Sequence, residues 1–134
     1  MTKIYKTQEE VDKDVKDGIL KINKDVRFEC PISIRASIIV DGDLVADDII
    51  TKNIVVKGDL TAKNIIALDI NAENIVVKRD FTAKNIIAWS IDAKNILYYA
   101  FCCVYGSIRC KSIKGIGKNH AEPICLDGKL EIKK

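Results

Sequence analysis

The sequence predicts an all-β fold: a parallel β-solenoid of about 21 residues per four-sided coil. Three observations predict it. First, a large apolar residue recurs every fifth position through Leu44, Ile49, Ile54, Leu60, Ile65, Ile70, Ile75, Phe81, Ile86, Ile91 and Ile96, with a six-residue step before Leu60 and before Phe81. Second, each is preceded by Asp, Asn or Ser and followed two positions on by a smaller residue, until Tyr98 breaks the pattern. Third, the segment from Ile54 to Ile65 (Ile54-Val55-Val56-Lys57-Gly58-Asp59-Leu60-Thr61-Ala62-Lys63-Asn64-Ile65) is nearly repeated from Ile75 to Ile86. Three steps of five and one of six make that longer period.

Strand alternation explains the pentad. In extended chain, residues two apart face the same way, so the Ile and the Ala after next both point inward and the residue between them points out. The remaining two positions turn a corner. Asp and Asn suit it because their short side chains bond nearby backbone. An α-helix is excluded, since a period of five drifts around a 3.6-residue helix and buries no single face.

The pentad resembles the repeat of the pentapeptide-repeat family over about residues 38–113. The resemblance implies a right-handed, quadrilateral β-solenoid. That family places the small residue two before the large one, whereas here it comes two after, as in Asn64-Ile65-Ile66-Ala67-Leu68. The rhythm, with Tyr98-Tyr99-Ala100 and Cys110-Lys111-Ser112-Ile113-Lys114-Gly115, also resembles a group of short bacterial and phage proteins. That second resemblance implies no activity.

Three segments follow. Residues 1–37 read as an N-terminal cap: a short helix over 7–17, with Thr7 and Glu10 as a capping box and Gly18 as its stop, then lead-in strands. Residues 38–113 are the solenoid. Residues 114–134 read as a loop and a closing hairpin, Ile124-Cys125-Leu126 and Leu130-Glu131-Ile132, around the Asp127-Gly128 turn. Caps are expected because an open solenoid end is a template for polymerisation.

Composition bounds the function. The chain has 134 residues, room for one domain. Aromatic content of 6% calls for a core of small aliphatic side chains. The net charge of +3 is interspersed and neither demands nor excludes a polyanionic partner. A nucleic-acid binder usually shows a basic stripe with aromatic residues in it, so nucleic acid is not the expected partner, and the charge has the wrong sign for a DNA mimic. The first residues carry no apolar signal-peptide core, and no apolar run is long enough to span a bilayer. Five cysteines without a secretory signal read as reduced thiols in a cytoplasmic protein.

Candidate chemistry is sparse. Cys102, Cys103, Cys110 and Cys125 form no C-x₂-C pair, so no metal site is expected and they read as small buried hydrophobes. His120 is the only histidine. It sits in a polar loop and reads as a surface residue. Hexapeptide acyltransferases are β-solenoid enzymes with a catalytic histidine between coils, but the coils here hold none. No catalytic residue and no cofactor is expected. Rows of carboxylates bind calcium in glycine-rich nonapeptide repeats. The Asp/Asn rows here lack those glycines, and corner hydrogen bonding is their expected role.

The outward positions point to binding. With a 21-residue coil, Ile66 would stack with Ile87, Leu68 with Trp89, Val76 with Leu97, and Tyr99 over Lys78. An apolar strip of Ile66, Leu68, Val76, Ile87, Trp89, Leu97 and Tyr99 would mark an interaction surface for another protein or for a second copy. The expected function is therefore a non-catalytic binding or self-associating module. One alternative is an inhibitor or accessory protein of phage or mobile-element origin acting on a host enzyme. Another is a nucleic-acid binder using outward Lys52, Lys63, Lys84 and Lys94.

Overall fold

A computed structural model describes residues 2–133. Their strands join one parallel sheet that winds as a β-solenoid of about six turns, with one short helix at the N-terminal end. The parallel solenoid expected from the pentad is present. The coil is smaller than expected. Ile49 pairs with Ile65 and Ile65 with Phe81, sixteen residues apart each time. Ile38 pairs with Ile54 and Ile54 with Ile70 at the same interval, and Leu60 pairs with Ile75 at fifteen. A turn therefore has three sides, two or three pentads of five and at most one of six. The four-sided coil of about 21 residues, and the quadrilateral cross-section implied by the family resemblance, are corrected.

The physical reason lies at the corners. A pentad specifies one flat side, and the corner backbone decides how many sides close a turn. The repeat of 21 residues is one turn plus one further side. The six-residue steps at Lys57-Gly58 and at Lys78-Arg79 consequently fall at different corners.

We number the sides by their inward residues. Side 1 stacks Val26, Leu44, Leu60 and Ile75, with Ile91, Ile108 and Leu130 beyond. Side 2 stacks Ile32, Ile49, Ile65 and Phe81, with Ile96 and Ile113 beyond. Side 3 stacks Leu20, Ile38, Ile54 and Ile70, followed by Ile86 and Cys102. Except near the C-terminal end, these columns are buried together with the small residues two positions on. Burying an aliphatic side chain contributes about 1.5–3 kcal/mol, so the stacked layers are the main source of stability.

Each corner carries a polar ladder. Between sides 1 and 2, Asn64 Nδ2 donates to Asp48 Oδ1 (2.9 Å), and the Asp80 amide donates to Asn64 Oδ1 (3.1 Å). Asn95 Nδ2 then donates to Asp80 Oδ1 (2.9 Å), and Ser112 Oγ to Asn95 Oδ1 (2.7 Å). Alternating carboxylate and amide gives each rung an acceptor facing a donor. Between sides 3 and 1, Asp25, Asp43 and Asp59 follow one another, and each of the first two accepts the backbone amide of the next (2.8 Å). Two rungs of this corner take glycine: a Cβ on Gly42 would collide with Asp25 Oδ1, and one on Gly58 with Asp43 Oδ1, whereas Glu73 holds the equivalent place one coil on.

The coils widen at both ends, and aromatic side chains fill them. Toward the N-terminus the interval grows to eighteen, as in Ile19 with Ser37. There Tyr5 stacks on Phe28 with ring centroids 5.3 Å apart. Thr2–Tyr5 pairs with Asp25–Phe28 and Ile19–Ile22 with Ser37–Val40, so the segment 1–37 supplies coil strands as well as a cap. Toward the C-terminus the interval is seventeen for Ile91 with Ile108, then twenty-one for Cys103 with Ile124. Tyr98 takes an inward position normally held by Ala, buries its ring, and donates its hydroxyl to the Ala121 carbonyl (2.6 Å).

The helix, α1, spans Gln8–Asp14, shorter than the 7–17 expected. Thr7 is its N-cap and accepts from the Glu10 amide (3.2 Å). It ends early because Val15 is already extended, and Asp17 and Gly18 adopt positive φ to turn the chain into the first coil. The expected C-terminal hairpin is absent among the described residues. Ile124–Cys125 pairs in parallel with side 3 and Leu130–Ile132 in parallel with side 1. Asp127-Gly128 is thus a coil corner, and the two strands continue the solenoid rather than close it.

Candidate interaction surface

The side chains expected to form one strip are all exposed, but they do not share a face. Val76 lies on side 1, paired with Thr61. Ile66 and Leu97 lie on side 2, paired with Thr82 and Lys114. Ile87 is on side 3. Leu68 and Tyr99 follow side 2 at its corner, where Leu68 bonds through its backbone to Lys52 and Lys84. Trp89 is at the corner between sides 3 and 1. The expected stacking of residues 21 apart is corrected by the three-sided turn: such pairs sit on neighbouring sides.

The true stack joins Trp89 to residues outside the expected strip. Its ring lies against Tyr105 of the next coil, centroids 4.4 Å apart. Leu126 comes next, its amide bonding the Val104 carbonyl (3.0 Å). Beside this column on side 3 run Ile87, Cys103 and Ile124, the last two directly paired. The result is a two-by-three array of outward apolar side chains. Trp89 is 54% exposed and Leu126 67%. The signal for it in the sequence is a sixteen-residue spacing, the interval between Trp89 and Tyr105.

The outward basic residues also regroup. At the corner between sides 1 and 2, the Arg79 amide bonds the Lys63 carbonyl (2.9 Å) and the Lys111 amide that of Lys94 (2.8 Å). Lys63, Arg79, Lys94 and Lys111 thus form one exposed ridge, with Lys78 beside it. Lys52 and Lys84 lie at another corner, separated by Leu68. Lys133 pairs with Asp92 on side 1.

The thiols are placed by packing. Cys102 and Cys110 are buried. Burial pushes the Cys102 thiol up to about 12, with the neighbouring Cys125, Cys103 and Cys110 adding to the effect. A thiol held protonated is a poor nucleophile. Among the described residues, no three His, Cys, Asp or Glu side chains gather in a group able to hold a metal ion. His120 Nδ1 lies 2.7 Å from the Gly117 carbonyl oxygen, and its ring meets Tyr98 edge-on. The imidazole fills the space that a side chain on Gly115 would need. It is exposed, as expected, but it also packs over Tyr98. Among the described residues, no helix is long and apolar enough to cross a membrane.

Comparison of the chain with protein-family models, with characterised proteins and with solved structures found no match.

Proposed function

We propose that the protein is a non-catalytic binding module: a rigid three-sided rod that docks another protein through the array around Trp89. The stack of Trp89 on Tyr105 carries the reading. Two aromatic rings packed face to face on the outside of a small protein, flanked by Leu126, Ile87 and Ile124, supply the contiguous apolar surface that protein contacts use. Tryptophan and tyrosine are favoured at the centre of such contacts. Fixed coil spacing holds the array in one shape, so little ordering entropy opposes docking. At the level of a single side, the pentad supports kinship with pentapeptide-repeat solenoids; the turn is built differently.

The test is affinity capture from host extract with wild type, Trp89→Glu and Val76→Glu. Val76 is a comparably exposed apolar residue on side 1. The expected result is a protein retained by wild type and by Val76→Glu and lost with Trp89→Glu, while all three keep the same β circular-dichroism spectrum. Equal capture by wild type and Trp89→Glu overturns the reading.

A second reading rests on the basic ridge of Lys63, Arg79, Lys94 and Lys111. Their rungs recur at about 4.8 Å along the rod, a row of cations suited to a phosphate backbone. Under this reading, single-stranded nucleic acid binds with an affinity that falls steeply with salt, and Lys94→Glu with Lys111→Glu removes it. Binding that is independent of salt, or absent, dismisses it.

A further inference from the structure

The last described coil is open. Leu130 lies in register with Ile108 and Ile132 with Cys110, both in columns otherwise buried. Yet Leu130 is 40% and Ile132 55% exposed, because among the described residues no coil and no helix lies over them. Among the same residues, the outer edges of Ser112–Gly115, Ile124–Cys125 and Leu130–Ile132 meet no further strand, one edge on each of the three sides. At the other end Thr2–Tyr5, Ile32–Ser33 and Ile19–Ile22 join no further strand either among the described residues, but the core beneath them is closed: Val11, Leu20 and Ile32 are buried. There α1 covers the first coil, and Gln8 Oε1 accepts the Ser33 amide at 2.9 Å, satisfying part of the edge of side 2.

We propose that this open end binds a second copy of the chain, tail to tail, to give a closed dimer. An occupant has to offer three strand edges on a triangle of the same size, and a second copy does. A two-fold axis perpendicular to the rod and passing through side 1 sets side 1 on side 1 and side 2 on side 3, with antiparallel strands. The charges on the side 1 edge fit that operation. Lys129 and Glu131 point outward together, their charged groups 3.8 Å apart. When Leu130 lies opposite Leu130 of the second copy, Lys129 faces Glu131 of the second copy and Glu131 faces its Lys129. Opposite charges across antiparallel strands favour pairing, and like charges oppose it. Leu130 and Ile132 then gain the covering layer they lack. Growth stops at two because the N-terminal ends are covered by α1 and face away. The interface meets the Trp89 surface at Ile124, whose side chain belongs to that surface and whose backbone edge belongs to this one, and it stands whether or not the Trp89 surface binds a protein.

The test is light scattering after size exclusion, over a range of concentrations, on the full 134-residue chain. Wild type is expected at twice the 15.0 kDa chain mass. Ile132→Asp is expected at the single mass, while Trp89→Glu and Ile50→Asp, a change on an exposed lateral residue of side 2, stay doubled. Glu131→Lys, which makes the edge wholly basic, also halves the mass, and the swap Lys129→Glu with Glu131→Lys restores it. That rescue separates docking from misfolding, because the swap keeps the loss of the Arg109–Glu131 ion pair (3.2 Å). A wild-type monomer at every concentration overturns the proposal. So does mass that grows without limit, a dimer that survives both Ile132→Asp and Glu131→Lys, or one that Trp89→Glu dissociates.

Discussion

Val11, on the inner face of α1 at the N-terminal end, has no exposed surface, whereas Ile132 at the other end is half exposed although it extends a core column. Both are aliphatic residues at the limit of the same stack. The difference teaches that a layer of a solenoid core is complete only when it has a neighbour on each side. At the N-terminal end seven helical residues, held by the Thr7 cap, are enough to supply that neighbour. Tyr5 strengthens the plug: its hydroxyl donates to Asp14 Oδ2 (2.7 Å), tying the first strand to the end of α1.

Three substitution pairs break or sharpen this contrast. The largest effect is expected for Val11→Asp, which places an unpaired charge on the inner face of the helix and costs about 3–5 kcal/mol. The same change at Ile132 costs within about 0.5 kcal/mol in protein dilute enough to be monomeric. Urea denaturation measures both, and equal losses would remove the distinction between a closed and an open end. Next, Ile54→Ala in the middle of the rod costs about 2–5 kcal/mol through lost burial and a cavity. Leu130→Ala costs about 1 kcal/mol or less, since its side chain already meets solvent. Thermal unfolding of the two variants ranks them. The smallest effect concerns the ladder. Asn64→Ala strips a partner from both Asp48 and Asp80 and costs about 1–2 kcal/mol. Ser112→Ala, at the last rung, costs about 0.5 kcal/mol or less. A loss at Ser112 matching that at Asn64 would mean that the ladder is no weaker at the open end.

The inward columns are legible in the sequence because alternation is local: Ile65 and Ala67 face the core for reasons contained in five residues. The corner role of Asn64 and Asp80 is legible for the same reason. The number of sides is not. Ile54-Val55-Val56-Lys57 and Ile75-Val76-Val77-Lys78 are alike because the sequence repeats at 21, and that likeness says nothing about where the chain closes on itself. Closure depends on corner geometry and is visible only in pairings such as Ile65 with Phe81. A turn of 21 residues matches Trp89 with Leu68 instead of Tyr105, so the outward residues are recognisable while their grouping is not. The ends are hidden for a different reason. Ile124-Cys125-Leu126 and Leu130-Glu131-Ile132 around Asp127-Gly128 carry hairpin chemistry, but register with the coil beneath outweighs the turn signal.

The mismatch between a 21-residue repeat and a sixteen-residue turn also shapes the outside of the rod. Val55, Val76 and Leu97 are equivalent positions in successive repeats, and they emerge on sides 3, 1 and 2 in that order. Each step advances about 6 Å along the axis, one turn and a third of the strand spacing. Equivalent residues therefore climb the rod as a spiral staircase, never as a straight column. Copying a 21-residue unit spreads any surface feature evenly around the circumference. A one-sided surface such as the pairing of Trp89 with Tyr105 has to arise by change within a repeat, against the symmetry that built the rest.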